Sequence, residues 1–400
     1  MKEYLAFFAA LVGVGLCFAQ EEQVGEGVPQ SGSHTAPVHA VAVSSEATSG
    51  SELSASEQPA PAEKPATASE PRASVAAPKS FIESDVVSGK DEVITDEPNI
   101  PSEEEVEQAE PIDSSNLKLR EAAEQGDVEA QWIMGGNYNM GLGVEHSSSK
   151  ATQWYRRSAE QGNTKAQYDL GASYEEGKGV FQSPEEAAKW YTIAAEKGNA
   201  DAQAALGKLY NEGRGVEPSS EKAVAWYRKA AEQGNAEAQY QLGRCYELGV
   251  GVPQSSQEAL SWYSHAADQG HAEAQVCLGV CYESGIGTEI SEAKAVEWYQ
   301  KSAGQDCAEA QCRLALCYHE GRGVSQSFPE AFKWFGAAAE QGHVVAMCML
   351  AEYYLQGKGG AEVSPEQARR WYRMAADKEY EPAKAALESL RKPADEDGSE

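Results

Sequence analysis

Trp154, Trp190, Trp226, Trp262, Trp298 and Trp334 recur at a spacing of 36 residues, and Trp371 follows 37 later. A fixed period between about 20 and 50 residues marks stacked supersecondary units, because each unit alone cannot bury its apolar face. Stacking makes a long surface and rarely a closed pocket, so the lattice points to binding before any other residue is read. The same beat carries Tyr138, Tyr174, Tyr210, Tyr246, Tyr282, Tyr318 and Tyr354. It also carries Gly-x-Gly pairs from Gly141/Gly143 to Gly357/Gly359, and turn glycines at 126, 162, 198, 234, 270 and 342, with Asp306 breaking that series. Seven copies result: 127–162, 163–198, 199–234, 235–270, 271–306, 307–342 and 343–379.

Within the copy 235–270, Ala238, Leu242, Cys245 and Tyr246 fall at i, i+4, i+7 and i+8, the stripe of an amphipathic helix. Gly249 and Gly251 stop it, since glycine takes the left-handed conformation that ends helices. Pro253, Ser255 and Ser256 suit a loop and a helix start, with Glu258 at capping-box spacing from Ser255. Ala259, Trp262, Tyr263, Ala266 and Ala267 form a second apolar stripe, closed by Gly270. Each copy therefore reads as a hairpin of two helices of about 12–14 residues. Residues 117–126 read as a second helix without its first, and 381–391 as a first helix without its second, so both are expected to cap the array.

The string A-x-A-Q-x-x-L-G-x-x-Y-x-x-G-x-G-V, followed by A-x-x-W-Y-x-x-A-A-E-x-G, resembles the Sel1-like repeat. Ala238, Gln239, Leu242, Gly243, Tyr246, Gly249, Gly251, Val252, Trp262, Tyr263, Ala266 and Ala267 carry the match in the fourth copy, and the resemblance runs over 116–392. It implies an all-α fold, a right-handed α/α superhelical solenoid related to the tetratricopeptide repeat, and a protein-binding scaffold. Asp306 for the turn glycine, Trp334-Phe335 for Trp-Tyr, and one inserted residue near Gly360 are local departures.

The N-terminus reads differently. One lysine precedes an apolar run from Tyr4 to Phe18 that is short of the ~20 residues a span needs. Cys17 and Ala19 stand where a signal peptidase reads small residues, so 1–19 is expected to be a cleaved signal peptide. Lipidation at Cys17 and an uncleaved anchor are the alternatives. Export to a periplasmic or extracellular location follows, with no transmembrane segment in the mature chain. Residues 20–115 hold 20 acids against four bases, ten prolines and a single aromatic, Phe81. Such a segment buries too little apolar area to offset chain entropy and is expected to be a disordered acidic linker. Residues 393–400 are expected to be a disordered tail.

A formal charge of −30 argues against nucleic acid, whose phosphates need Lys and Arg, and no basic patch stands out. There is no G-x-S-x-G, H-E-x-x-H or P-loop, and the Gly-x-Gly pairs follow helices, unlike dinucleotide fingerprints. No cofactor or catalytic residue is expected. Cys245, Cys277, Cys281, Cys307, Cys312, Cys317 and Cys348 alternate with small or apolar residues at their repeat positions. That suits packed thiols, with one or two disulfides as the alternative. His271 with Cys277 and Cys281 falls short of a four-ligand zinc set.

In the tetratricopeptide-like stacks that the repeats resemble, the first helices line the concave side, so three repeat positions on them are expected to face that groove. One holds Trp132, Tyr168, Ala204, Tyr240, Val276, Cys312 and Cys348, and another Gly136, Ala172, Lys208, Arg244, Val280, Leu316 and Glu352. The third holds Asn139, Glu175, Asn211, Glu247, Glu283, His319 and Leu355. These vary while the frame does not, as a specificity surface requires. Trp132, Tyr168, Tyr240 and Arg244 are the expected anchors for a protein or peptide partner, with Lys208, Glu247, Glu283 and His319 around them. The alternatives are an envelope-organising element that binds cell-wall material or itself, and a hydrolase of cell-wall-like substrates.

Overall fold

The computed structural model describes residues 114–390. The expected signal peptide, all but the end of the acidic linker, and the tail 393–400 lie outside the described residues. Among the described residues there are helices and turns and no strand. A helix α1 (Ser114–Glu124) precedes seven hairpins: α2 (Val128–Met140) with α3 (Ser148–Glu160), α4 (Thr164–Glu176) with α5 (Pro184–Glu196), and α6 (Ala200–Glu212) with α7 (Ser220–Glu232). Next come α8 (Ala236–Leu248) with α9 (Ser256–Asp268), and α10 (Ala272–Ser284) with α11 (Glu292–Ala303). The last pairs are α12 (Ala308–Glu320) with α13 (Phe328–Glu340), and α14 (Val344–Gln356) with α15 (Pro365–Ala376). A final helix, α16 (Glu381–Ser389), closes the series, and each helix packs on its neighbours in chain order. This is the α/α solenoid that the period demands.

Each glycine series has its own mechanical task. The first glycine of every Gly-x-Gly pair is left-handed, at φ 65 to 75°, and ends the first helix by donating its N–H four residues back. The second fits where a side chain would collide with the preceding copy. A Cβ on Gly251 would stand 2.5 Å from the Ser220 carbonyl oxygen, and one on Gly287 would stand 2.4 Å from that of Ser256. Inside the first helices, a Cβ on Gly207 or Gly243 would stand 2.7 Å from the ring of Tyr227 or Tyr263. In the sixth copy Ala315 and Phe335 take these two places, both fully buried. The tyrosine after each lattice tryptophan, or Phe335 in the sixth copy, is thus the buried member of the pair. The tryptophan is half-buried, bridges to the preceding copy's core, and often carries a cation: Arg157 lies 4.7 Å from the centre of Trp154, Lys229 3.8 Å from Trp226, and Lys301 3.5 Å from Trp298.

Polar bonds repeat with the same beat. Gln203 donates to the Ala195 carbonyl at the end of the preceding second helix and accepts from Gln233 at 2.7 Å; Gln239, Gln275 and Gln311 repeat the pattern with Gln269, Gln305 and Gln341. In the second copy Lys197 replaces the donor glutamine and turns to the Gly162 carbonyl at 3.0 Å. Gln167 Oε1 is consequently buried without a hydrogen-bond partner.

The N-caps also link copies. Asn163, Asn235, His271 and His343 each accept from their own helix N-terminus while the opposite nitrogen reaches Glu129, Asp201, Glu237 or Glu309 one copy back, at 2.8–3.1 Å. Cys307 takes this place in the sixth copy and makes no side-chain cap. Asp306 before it is left-handed at φ 62°, and the Gln311 bond to Ala303 lengthens to 3.4 Å. The fifth and sixth copies therefore meet at the least regular of these joints.

No disulfide joins the seven cysteines of the array; Cys307 is partly exposed and the other six are buried. Burial pushes the Cys245 thiol up to about 11 and those of Cys317 and Cys348 up to about 12, so they pack as inert small groups. His271 is occupied as an N-cap.

Candidate partner-binding surface

The three variable positions do not share one face. On a helix, residues four apart lie above one another. The residue after each lattice tyrosine stands four after the small residue that receives the second helix's ring, and where it is glutamate it meets that ring's hydroxyl. Tyr191 donates to Glu175 at 2.8 Å, Tyr263 to Glu247 at 2.5 Å, and Tyr299 to Glu283 at 2.7 Å.

Glu247 and Glu283 were expected on the open surface; they lie instead between the two helices of their own hairpins. Glu283 also pairs with Arg313 at 3.7 Å and with Arg322. His319 is committed in the same way. Its Nδ1 shares a 2.7 Å hydrogen bond with the Tyr353 hydroxyl, amid the Phe328 and Phe335 rings. Burial holds its imidazole below the usual histidine range, and nearby Lys358 adds to this.

The first position closes progressively along the array. Trp132 and Tyr168 are half-buried, whereas Ala204, Tyr240, Val276, Cys312 and Cys348 are buried. Tyr240 was expected as an exposed anchor; it is 7 % exposed, stacked on the His271 ring at 4.7 Å and tilted against Tyr263 at 6.1 Å. Its own second helix α9 and the following α10 cover it. The second position closes later. Lys208 is exposed and Arg244 half-buried, with its guanidinium 5.9 Å from the Tyr240 ring centre, while Val280 and Leu316 are buried.

An open surface therefore remains over the first four copies. Trp132 Nε1 donates to Asp169 Oδ2 at 2.6 Å, and Lys165 sits 4.3 Å over the same ring. Burial lifts the Asp169 carboxyl above its usual range against the pull of the indole bond, and Asp201 adds to the rise. Burial also raises the Tyr168 hydroxyl, with Asp201 and Asp169 contributing. Lys208 approaches Glu212 at 3.9 Å. The His271 bond holds Glu237 below the usual carboxylate range, with Lys208 a smaller contributor.

The sequence reading missed Lys165, Asp169, Asp201 and Glu237, which frame this surface. Its available signal was the third residue of each copy, where Glu129, Asp201, Glu237, Glu273 and Glu309 recur. It also missed a local basic patch, since Arg369, Arg370 and Arg373 are exposed together on α15.

The Sel1 repeat family model matches residues 128–163, 164–199, 200–235, 236–271, 272–307, 308–343 and 344–380. No curated protein matches the chain. Among solved structures, the chain is similar to c5321, a protective antigen of uropathogenic Escherichia coli, at 37% identity and a TM-score of 0.62. That match covers 69% of this chain and 59% of c5321, so the chain spans less than two thirds of that antigen. It is also similar to a Sel1 repeat protein from Oxalobacter formigenes, at 35% identity and a TM-score of 0.57, over 68% of this chain and 78% of the other.

Proposed function

The chain belongs to the Sel1 repeat family, whose members are generally protein-interaction scaffolds, and on that premise we propose that it binds a protein or peptide partner without catalysis. The contact surface is the face of the first helices in copies one to four. Trp132, Tyr168, Lys208 and Arg244 make the contacts, while Tyr240, Glu247, Glu283 and His319 hold the hairpins beneath or beside them. The observation that carries this reading is the contrast along the array. Val276, Val280, Cys312 and Leu316 are buried at these repeat positions in copies five and six, whereas Trp132, Tyr168, Lys208 and Arg244 stay accessible in copies one to four. Half-buried aromatics and cations are the usual energetic centres of interfaces.

In capture experiments from an envelope extract, Trp132→Ala with Lys208→Ala is expected to weaken a stoichiometric partner by more than about tenfold, at unchanged helical circular dichroism. Lys189→Ala, on a second helix, is expected to leave that partner in place. A partner list identical for all three proteins would remove this surface from consideration. We also propose that the chain is exported and cleaved after Ala19. Mass spectrometry of the mature protein should then give Gln20 as its first residue, and an intact Met1 would rule cleavage out.

A further inference from the structure

The last hairpin differs from the others at one place on its second helix. Two residues before the lattice tryptophan stand Thr152, Ala188, Val224, Leu260, Val296 and Phe332, and Asn116 holds the corresponding place in α1. In these rungs the place lies under the Gly-x-Gly turn of the next copy. Asn116 Nδ2 donates to the Leu142 carbonyl at 2.6 Å, and Thr152 Oγ1 to that of Lys178 at 2.9 Å. Val224 and Phe332 lie directly beneath Gly251 and Gly359. It is a seat shaped for main chain.

In α15 the seat holds Arg369, exposed, whose Nη2 donates to the Leu390 carbonyl at 3.3 Å. Arg370 and Arg373 stand beside it, also exposed, and the three line a concavity of about 350 Å³ with Glu366 and Gln367. Among the described residues none of the three arginines forms an ion pair, although Glu366 stands one turn before Arg370. Arg373 has counterparts in Arg156 and Arg228, which donate to the hydroxyls of Tyr174 and Tyr246 on the following copy. No eighth tyrosine answers Arg373.

We propose that this end of the array binds a short acidic peptide segment of a partner protein. The segment lies along the exposed face of α15, where its carboxylates pair with Arg369, Arg370 and Arg373. A guanidinium presents a planar fork of donors that matches a carboxylate in bidentate fashion. A polar outer face is required of any terminal repeat. Solubility alone, however, is met by mixed charges and does not call for three arginines unpaired in a chain of formal charge −30. That same charge disfavours a long polyanion, since an extended nucleic acid would leave the local patch and meet carboxylates.

The test uses the full chain and a fluorescent peptide of alternating glutamate and serine, followed by anisotropy at low ionic strength. Saturable binding is expected, weakened by more than about tenfold in the triple variant R369Q/R370Q/R373Q at unchanged helical signal. The triple lysine variant should recover only part of it, because an ammonium lacks the fork. Equal binding by the glutamine variant overturns the proposal. So does tighter binding of an oligonucleotide of matched charge, or of anionic vesicles, than of the peptide. Binding that emerges only after deletion of residues 393–400, which contain Asp395, Glu396 and Asp397, would assign the seat to the chain's own end and overturn it equally.

Discussion

Gly251→Ala is expected to destabilise the array by about 2–4 kcal/mol, several times the effect of Gly234→Ala. Both glycines are left-handed, at φ 69° and 90°, so alanine meets conformational strain at either place, worth about 1 kcal/mol. Only at Gly251 does the new methyl also meet the preceding unit: 2.5 Å from the Ser220 carbonyl oxygen and 3.0 Å from Val224 Cγ2. Around Gly234 nothing lies within 4 Å. Backbone cannot rotate away as a side chain can, so relief requires the fourth copy to shift against the third. Stability in a stack is roughly a sum of unit and interface terms. One weakened interface should therefore lower the urea midpoint and broaden or split the transition followed by circular dichroism. Equal midpoints for the two variants would show that the turn does not bear on the preceding helix.

This difference between two glycines marks the limit of what the period discloses. The lattice places every hairpin, because a helix-ending glycine, a capping serine and an alternating apolar stripe are local signals. It also marks Tyr263 and Gly243 as members of the repeating frame. Which variable residues stay outside is not local. Tyr240 and Trp132 occupy the same repeat position, yet one is 7 % exposed and the other half-buried, because what each meets on the next copy differs: the stacked His271 ring against Tyr240, the Lys165 and Asp169 side chains against Trp132. Glu247 was within reach of sequence reasoning: it stands four after Gly243, on the side that faces the second helix. The arginines of α15 were hidden by the opposite route. Net charge averages over the chain, whereas a site depends on which cations lack a nearby acid once the array ends.

Glu283→Ala is expected to be the most damaging single change at a charged residue of the array, at about 2–4 kcal/mol. Its carboxylate is 15% exposed and holds three donors from two copies: the Tyr299 hydroxyl at 2.7 Å, Arg313 and Arg322. Truncation would leave a fully buried phenol without its acceptor and take one of two carboxylate partners from each guanidinium, since Arg313 keeps Glu309 and Arg322 keeps Glu320; an orphaned buried donor costs more than the bond contributed. Glu247→Ala removes the acceptor of Tyr263 alone and should cost about half as much. The two arginines belong to the sixth copy, so the loss at Glu283 also falls on the joint where Asp306 and the uncapped Cys307 already weaken the register. Tyr299→Phe in the Glu283→Ala background tests the partition, because removing both members of one hydrogen bond can be nearly neutral. The double variant should recover the hydroxyl's share and none of the arginines'. If Glu283→Ala unfolds at the same urea concentration as Glu247→Ala, the arginines are satisfied by water and the carboxylate is no link between copies.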